Sequence, residues 1–392
     1  MDTIHQLHSA LIPESVAVIG ASERVSSRGT TLWKNLVSCG FNGRLYPVNP
    51  KYRYIGEAQC YSNIQNIEDK IDLAVLAIPS KYIEKTLEDI ASHGTRWVAL
   101  APSDSSVTSD PSWQASIVNK AQSLGIRLIG TDCLGIMRPA IGLNASYWHD
   151  LPLAGHVGFA TQSGVIGTSL FASNRIRDIG FSTLINTGDE IDVSMSDVVD
   201  FLAQDKDTNV IVLHVEGIRN PREFFSAVRE ACKHKPVIVL RGGKSQQASQ
   251  LLASRMGVPA GDDRVFNALL ERAGAIRVYG LEDMLSAIEI FSQRRLPRGN
   301  RIGIISNGSG FGVLAADAAS ESDIKLATLA RATTNKLHQI FNNPIPMTNP
   351  VDLWADADPR RIKLAVDALN KDENVDAILV VTAPTFAAPL ER

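Results

Sequence analysis

Short apolar runs alternate with longer amphipathic stretches along the whole chain. That is the layout of parallel strands joined by crossover helices that cover both faces of a sheet. The first run, SVAVI at 15–19, is followed by predicted strands at 45–48, 73–78, 97–100 and 127–129. A second series falls at 157–160, 181–186, 210–215, 237–241 and 276–278. Between the two, residues 138–155 carry Pro139, Pro152 and several glycines and read as a linker or long surface excursion. A second break, QRRLPRGN at 293–300, precedes a third series at 301–306, 325–328 and 377–382. Three strands make only part of a doubly wound sheet, so a chain that continues beyond Arg392 is expected. The expected architecture is α/β throughout, with domains at 1–137, 150–293 and 299–392, the last one incomplete.

Composition narrows the function classes. Lys and Arg total 39 against 42 Asp and Glu, and no basic tract suggests a nucleic-acid partner. No apolar run approaches the roughly 20 residues of a membrane span, and the N-terminus lacks a signal-peptide layout, so a cytoplasmic protein with no membrane partner is expected. Cys39, Cys60, Cys133 and Cys232 lie far apart without a C-x-x-C pair, which argues against a zinc site or a disulfide framework. No metal site is expected.

The first candidate site is SVAVIGASERVSSRGTTLWKNL, a strand running through a glycine turn into a helix. Backbone N–H groups at such a turn, with a helix N-terminus behind them, favour a pyrophosphate, and Arg24, Ser26 and Arg28 add donors. After the second strand, where NAD readers place an acidic residue, stands Asn49-Pro50-Lys51. A cation there suits a ribose phosphate, which leaves coenzyme A and NADP open. Two further loops, 159–168 with Ser163 and Gly164 and 305–312 with Asn307, Gly308 and Gly310, read as anion seats at helix N-termini. Each also fits a tight turn with nothing bound. His214, on a predicted buried strand, reads as a core histidine, the other histidines as surface residues, and the acids of 189–202 as a solvated helix start.

These segments carry a resemblance. P-x-S-V-A-V-I-G-A-S, the Val48-Asn49-Pro50-Lys51 corner and the 130–135 run G-T-D-C-L-G resemble the CoA-binding domain of succinyl-CoA synthetase alpha subunits and ADP-forming acetyl-CoA synthetases. The resemblance implies a Rossmann-like CoA-binding domain followed by flavodoxin-like, succinyl-CoA synthetase-like domains. It implies CoA or acetyl-CoA contacts at Gly20, Ala21, Ser22, Arg28 and Lys51, at Ile78 and Pro79, at Ala101, Pro102 and Ser103, and at the Cys133 loop. Asp132 stands where that family has an amide.

Residues 253–278 resemble the family's phosphohistidine loop, S-H-T-G-x-x-A-G-x-D, with Arg255 at the histidine position. A guanidinium stays protonated and has no lone pair for attack on phosphorus. Glu216 matches the glutamate that orients that histidine, and an ion pair between Glu216 and Arg255 is expected. Together with the F-N-G-x-L-x-P-V-x-P corner, Gly142–Ser146 and R-A-G-x-x-R-V at 272–278, the loss resembles bacterial protein lysine acetyltransferases of the Pat type. The function expected is therefore a CoA-binding regulatory region of such an enzyme, with nucleotide-grasp and GNAT domains beyond the chain and self-association into a homo-oligomer. An active nucleoside-diphosphate-forming acyl-CoA synthetase alpha-like subunit, using ATP or ADP with Mg through a beta-like partner, and an NADP-dependent oxidoreductase are the alternatives.

Overall fold

The SVAVI run is buried at every position because it is a central strand covered on both faces, where a continuous apolar run replaces alternation. In the computed structural model, which describes residues 3–101, 105–131, 133–256, 261–293, 296–297, 299–341 and 347–385, this strand is β1 (Ser15–Ile19). It lies beside β2 (Arg44–Val48). A two-strand hairpin, β3 (Tyr54–Ile55) and β4 (Ala58–Gln59), follows. With β5 (Leu73–Leu76), β6 (Trp97–Leu100) and β7 (Arg127–Ile129), the first sheet runs in the order β2-β1-β5-β6-β7, all parallel.

The second sheet has seven strands: β8 (Gly135–Arg138), β9 (Leu143–Ser146), β10 (Ala154–Thr161), β11 (Phe181–Asn186), β12 (Val210–Val215), β13 (Val237–Arg241) and β14 (Ile276–Val278). Their order is β14-β13-β12-β10-β11-β8-β9. The expected linker at 138–155 is thus corrected. It holds the end of β8, all of β9 and the start of β10, with β8 and β9 forming an antiparallel hairpin on the β11 edge. Its polar residues hid this because they are buried and paired. Arg138, 2% exposed, donates to Asp205 at 2.9 and 3.1 Å, to Asp207 and to Thr183.

Both sheets belong to one compact unit, residues 1–294. One apolar cluster spans both sheets, running from Val16 and Leu32 through Ile136 and Leu143 to Val198 and Val239. The helix Arg28–Ser38 packs on β9, and its buried Asn35 donates to Ser146 O and Trp148 O at 2.8 and 2.9 Å. The first sheet is thereby tied to the hairpin.

Residues 295–392 form a second compact unit. There β15 (Arg301–Ser306) pairs in parallel with β16 (Lys325–Leu326), β17 (Val351–Asp352) and β18 (Ala377–Val381). Sequence patterning missed β17, two residues being too short a run to register. Asn349 just before it donates to Ile302 O and Ala327 O and accepts from Ile304 N–H, filling a gap in the strand ladder. Among the described residues no helix is long and apolar enough to cross a membrane.

Burial raises the Asp205 carboxyl, but hydrogen bonds from Arg138 and Thr208 outweigh it and hold the group below its usual range. A depressed carboxylate contributes stability that is complete above its unfolded pKa, about 4, and is lost as pH falls through the lower folded value. Replacing Arg138 with Met strands that charge and is expected to cost roughly 3–5 kcal/mol at neutral pH. Urea unfolding should show the deficit at pH 7 and a smaller one in acid.

Candidate functional site

The glycine turn is built by contact between two backbones. Gly20 has φ +93°, and a Cβ there would lie 2.5 Å from Ala77 O. A Cβ on Gly29, in the first turn of the following helix, would lie 1.9 Å from Gly20 O. Only glycines let helix, turn and neighbouring strand approach this closely. Ser27 caps the helix by accepting from Thr30 N–H, and Thr30 Oγ1 reaches Ser22 O and Arg24 O at 2.7 and 2.8 Å. Asn49 donates to Ala21 O and accepts from Lys51 N–H, so the corner after β2 is fixed to the turn.

The turn opens on a cleft of about 950 Å³ at the C-terminal ends of the parallel strands, the usual place for a ligand in an open α/β sheet. Gly20, Ser22, Arg28, Lys51, Ile78 and Pro79, all expected at the site, line it; Ala21 is buried beneath. Arg24 and Lys81 bring its cations to four, and Tyr82 stands beneath Lys81, with Nζ 4.9 Å from the ring centre. Lys81 and Tyr82 were not expected from sequence. Their only signal was a position just after Ile78-Pro79.

A second chamber, about 360 Å³, shares Arg28 with the cleft. Ala101, Cys133, Ser163 and Gly164 line it, which brings together residues expected at two separate sites. The Arg28 guanidinium lies 5.3 Å from the centre of the Tyr147 ring, and the Tyr147 hydroxyl donates to Ala101 O. Burial, with Cys133 adding to it, pushes the Tyr147 phenol above its ordinary range, while Arg28 pulls the other way. Ser163 and Gly164 stand where β10 turns into the helix Gly164–Arg177, whose first N–H groups have no partner within the helix.

Gln162, 2% exposed, holds this turn. Its Nε2 donates to Glu190 Oε1 and Gly217 O, and its Oε1 accepts from Glu216 N–H and Gly217 N–H. Glu190 corrects the reading of 189–202 as a solvated helix start: it is 6% exposed, and burial raises its carboxyl against hydrogen bonds from Gln162 and Thr187. Asp192 accepts from Leu128 N–H and Arg127, and Asp197 closes a capping box with Ser194. His214 is 4% exposed with Nδ1 3.1 Å from Thr161 Oγ1, a core position. His93, expected at the surface, is half-buried, its ring nitrogens 3.1 Å from Thr95 Oγ1 and Ile67 O.

Pro102, Ser103, Asp132 and the Arg255 side chain lie outside the described residues, and with Arg255 the expected pair to Glu216. In the second unit Gly308 and Gly310 face open space at the start of the helix Ser309–Ser320. The Asn307 side chain is committed elsewhere, exchanging two 2.8 Å hydrogen bonds with the Ala383 backbone.

Residues 14–139 match the model of a CoA binding domain, and residues 154–291 that of the succinyl-CoA ligase like flavodoxin domain. The acetate–CoA ligase [ADP-forming] of Methanocaldococcus jannaschii is 35% identical over 91% of this chain and 50% of its own length. The alpha subunit of acetate–CoA ligase [ADP-forming] II of Pyrococcus furiosus is 32% identical, over 96% of this chain and 82% of the subunit. The dinucleotide forming acetyl-coenzyme A synthetase 1 of Ca. Korarchaeum cryptofilum, solved in complex with phosphate and ADP, superposes with a TM-score of 0.93 at 27% identity, covering 97% of this chain and 82% of that one. The chain thus spans about half the length of the M. jannaschii relative and most of the alpha subunit. These relatives overturn the expected regulatory region of a protein lysine acetyltransferase: they are ligases, aligned along nearly the whole chain.

Gly29→Ala forces a methyl group into the Gly20 carbonyl. The expected loss is roughly 1–3 kcal/mol, read as a lowered urea midpoint with an unchanged slope.

Proposed function

The chain belongs to the family of ADP-forming acetate–CoA ligase alpha subunits, and from that membership we propose that it binds CoA and forms the thioester of an acyl-CoA. A nucleotide-handling part, on a beta-like subunit or a further segment, supplies the ATP, with Mg²⁺, whose conversion to ADP drives the reaction. In this reading 1–137 is the CoA-binding domain, 150–293 the domain that receives phosphate, and 299–392 a third doubly wound domain.

The observation that carries the proposal is the shared wall at Arg28. A cleft with four cations and a chamber that ends on a helix N-terminus share this one side chain in their walls. CoA is a long polyanion with a thiol at its far end. Lys51 suits its ribose phosphate, and Arg24, Arg28 and Lys81 its pyrophosphate. A CoA binding domain over 14–139 favours CoA over NADP for this cleft.

A free carboxylate is a poor acyl donor, and a reaction that yields ADP activates it as an acyl phosphate. The CoA thiolate attacks the carbonyl carbon, the C–S bond forms and the C–O bond to phosphate breaks. The thiol proton ends on the departing phosphate. Ser163 and the N–H groups at Gly164 stand where that phosphate is received, in a turn held by Gln162. Nothing in this half-reaction passes through residue 255.

Calorimetry is expected to show CoA bound about tenfold or more tightly than dephospho-CoA or NADP, with Lys51→Ala erasing the preference over dephospho-CoA. Acetyl phosphate and CoA mixed with the protein should yield acetyl-CoA and phosphate, measured as lost free thiol. Absence of CoA binding, or NADP binding equal to it, overturns the proposal.

A further inference from the structure

The arginines that tie the second sheet together are clamped by carboxylates, Arg138 by Asp205 and Asp207 and Arg277 by Asp263. Arg28, shared by the walls of cleft and chamber, is not. Its side chain makes no hydrogen bond or ion pair among the described residues, and the guanidinium carbon rests 5.3 Å from the centre of the Tyr147 ring. The difference matters to an anion. A carboxylate cancels the charge of its arginine and occupies the N–H groups, whereas a ring face attracts the cation and does neither. Arg28 is therefore located yet fully charged, with its donors open to phosphate oxygens.

The ring is itself fixed from two sides. The Tyr147 N–H donates to Leu134 O at 3.0 Å, in the loop beside Cys133, and the hydroxyl donates to Ala101 O at 2.9 Å, just past β6. Burial holds the phenol above its ordinary range, so the hydroxyl stays protonated and keeps donating. One residue past β9 thus joins the hairpin of the second sheet, the end of a first-sheet strand and the opening residue of the helix Arg28–Ser38. Arg28 is exposed, and each flexible side chain that binding must immobilise weakens affinity. A ring that places it beforehand removes part of that cost.

We infer that Tyr147 is a positioning residue: its ring pre-places Arg28 for the pyrophosphate of the ligand in the cleft, and its hydroxyl keeps the ring there. The inference rests on the CoA-binding reading and adds a residue that acts through Arg28 rather than on the ligand.

The test is titration calorimetry of the 392-residue chain with CoA, using Tyr147→Phe and the same substitution made with 4-fluoro- and pentafluorophenylalanine. Fluorine drains the ring face of negative charge while leaving its shape nearly the same, so a packing role and a charge role part company. Tyr147→Phe, which keeps the face, is expected to bind CoA within about twofold of the unaltered chain, and affinity should then fall along the fluorinated series by about two- to fivefold in all. Tyr147→Leu should weaken binding by a similar factor. In an Arg28→Met background, a change at an exposed position, the fluorinated series should be flat. A flat series with Arg28 present, or a slope that survives Arg28→Met, overturns the inference while leaving CoA binding in place. Absence of CoA binding to the unaltered chain is the separate outcome that removes the underlying reading.

Discussion

The contact between Gly29 and the Gly20 carbonyl is the constraint on which the site depends. Because no side chain intervenes, the helix Arg28–Ser38 seats directly on the turn after the first strand. Its first residue, Arg28, is thereby aimed at both cavities. The same seating lets Thr30 reach the carbonyls of Ser22 and Arg24 and lets Asn49 reach Ala21 O. The local rule is familiar from dinucleotide turns, where one glycine bends the chain and another permits close packing. Here Gly20 and Gly29 divide those tasks, although the spacing departs from G-x-G-x-x-G.

The second sheet contributes through long-range polar contacts. Gln162 spends its amide on Glu190 and Gly217 and on the N–H groups of Glu216 and Gly217. A buried amide with partners on both ends fixes a loop more firmly than one left half-satisfied. Asn186 does similar work beside it, donating to Thr161 O and accepting from Leu134 N–H, which joins the 133–135 loop to the strand before the anion seat. Cys133 and Ser163 therefore line one chamber although 30 residues and a β-hairpin separate them in sequence.

Much of this was legible in the sequence, for physical reasons that also explain the rest. Parallel strands covered on both faces read as continuous apolar runs, so Ser15–Ile19 and Val210–Val215 were placed correctly. The glycine turn and the 159–168 loop are local backbone motifs, and their residues stand at the cleft and chamber. The β8–β9 hairpin was not legible, because Arg138, Asn144 and Ser146 are polar yet buried and each finds its partner within the protein. Glu190 and Tyr147 were missed for the same reason: pairing across distant segments leaves no trace in a local pattern. The acetyltransferase expectation weighted one substitution, Arg255, above similarity spread along the chain, and the relatives reverse that weighting.

Arg28 belongs to two spaces at once, and this carries a lesson for redesign. Lys51 lines only the cleft and Val165 only the chamber, and Arg28 is the one described residue common to both linings. A change at Arg28 alters the grip on one ligand and the welcome given to the other in a single stroke, so its effect will depend on every other substitution already made. Laboratory evolution toward a new acid should therefore leave that arginine untouched until last.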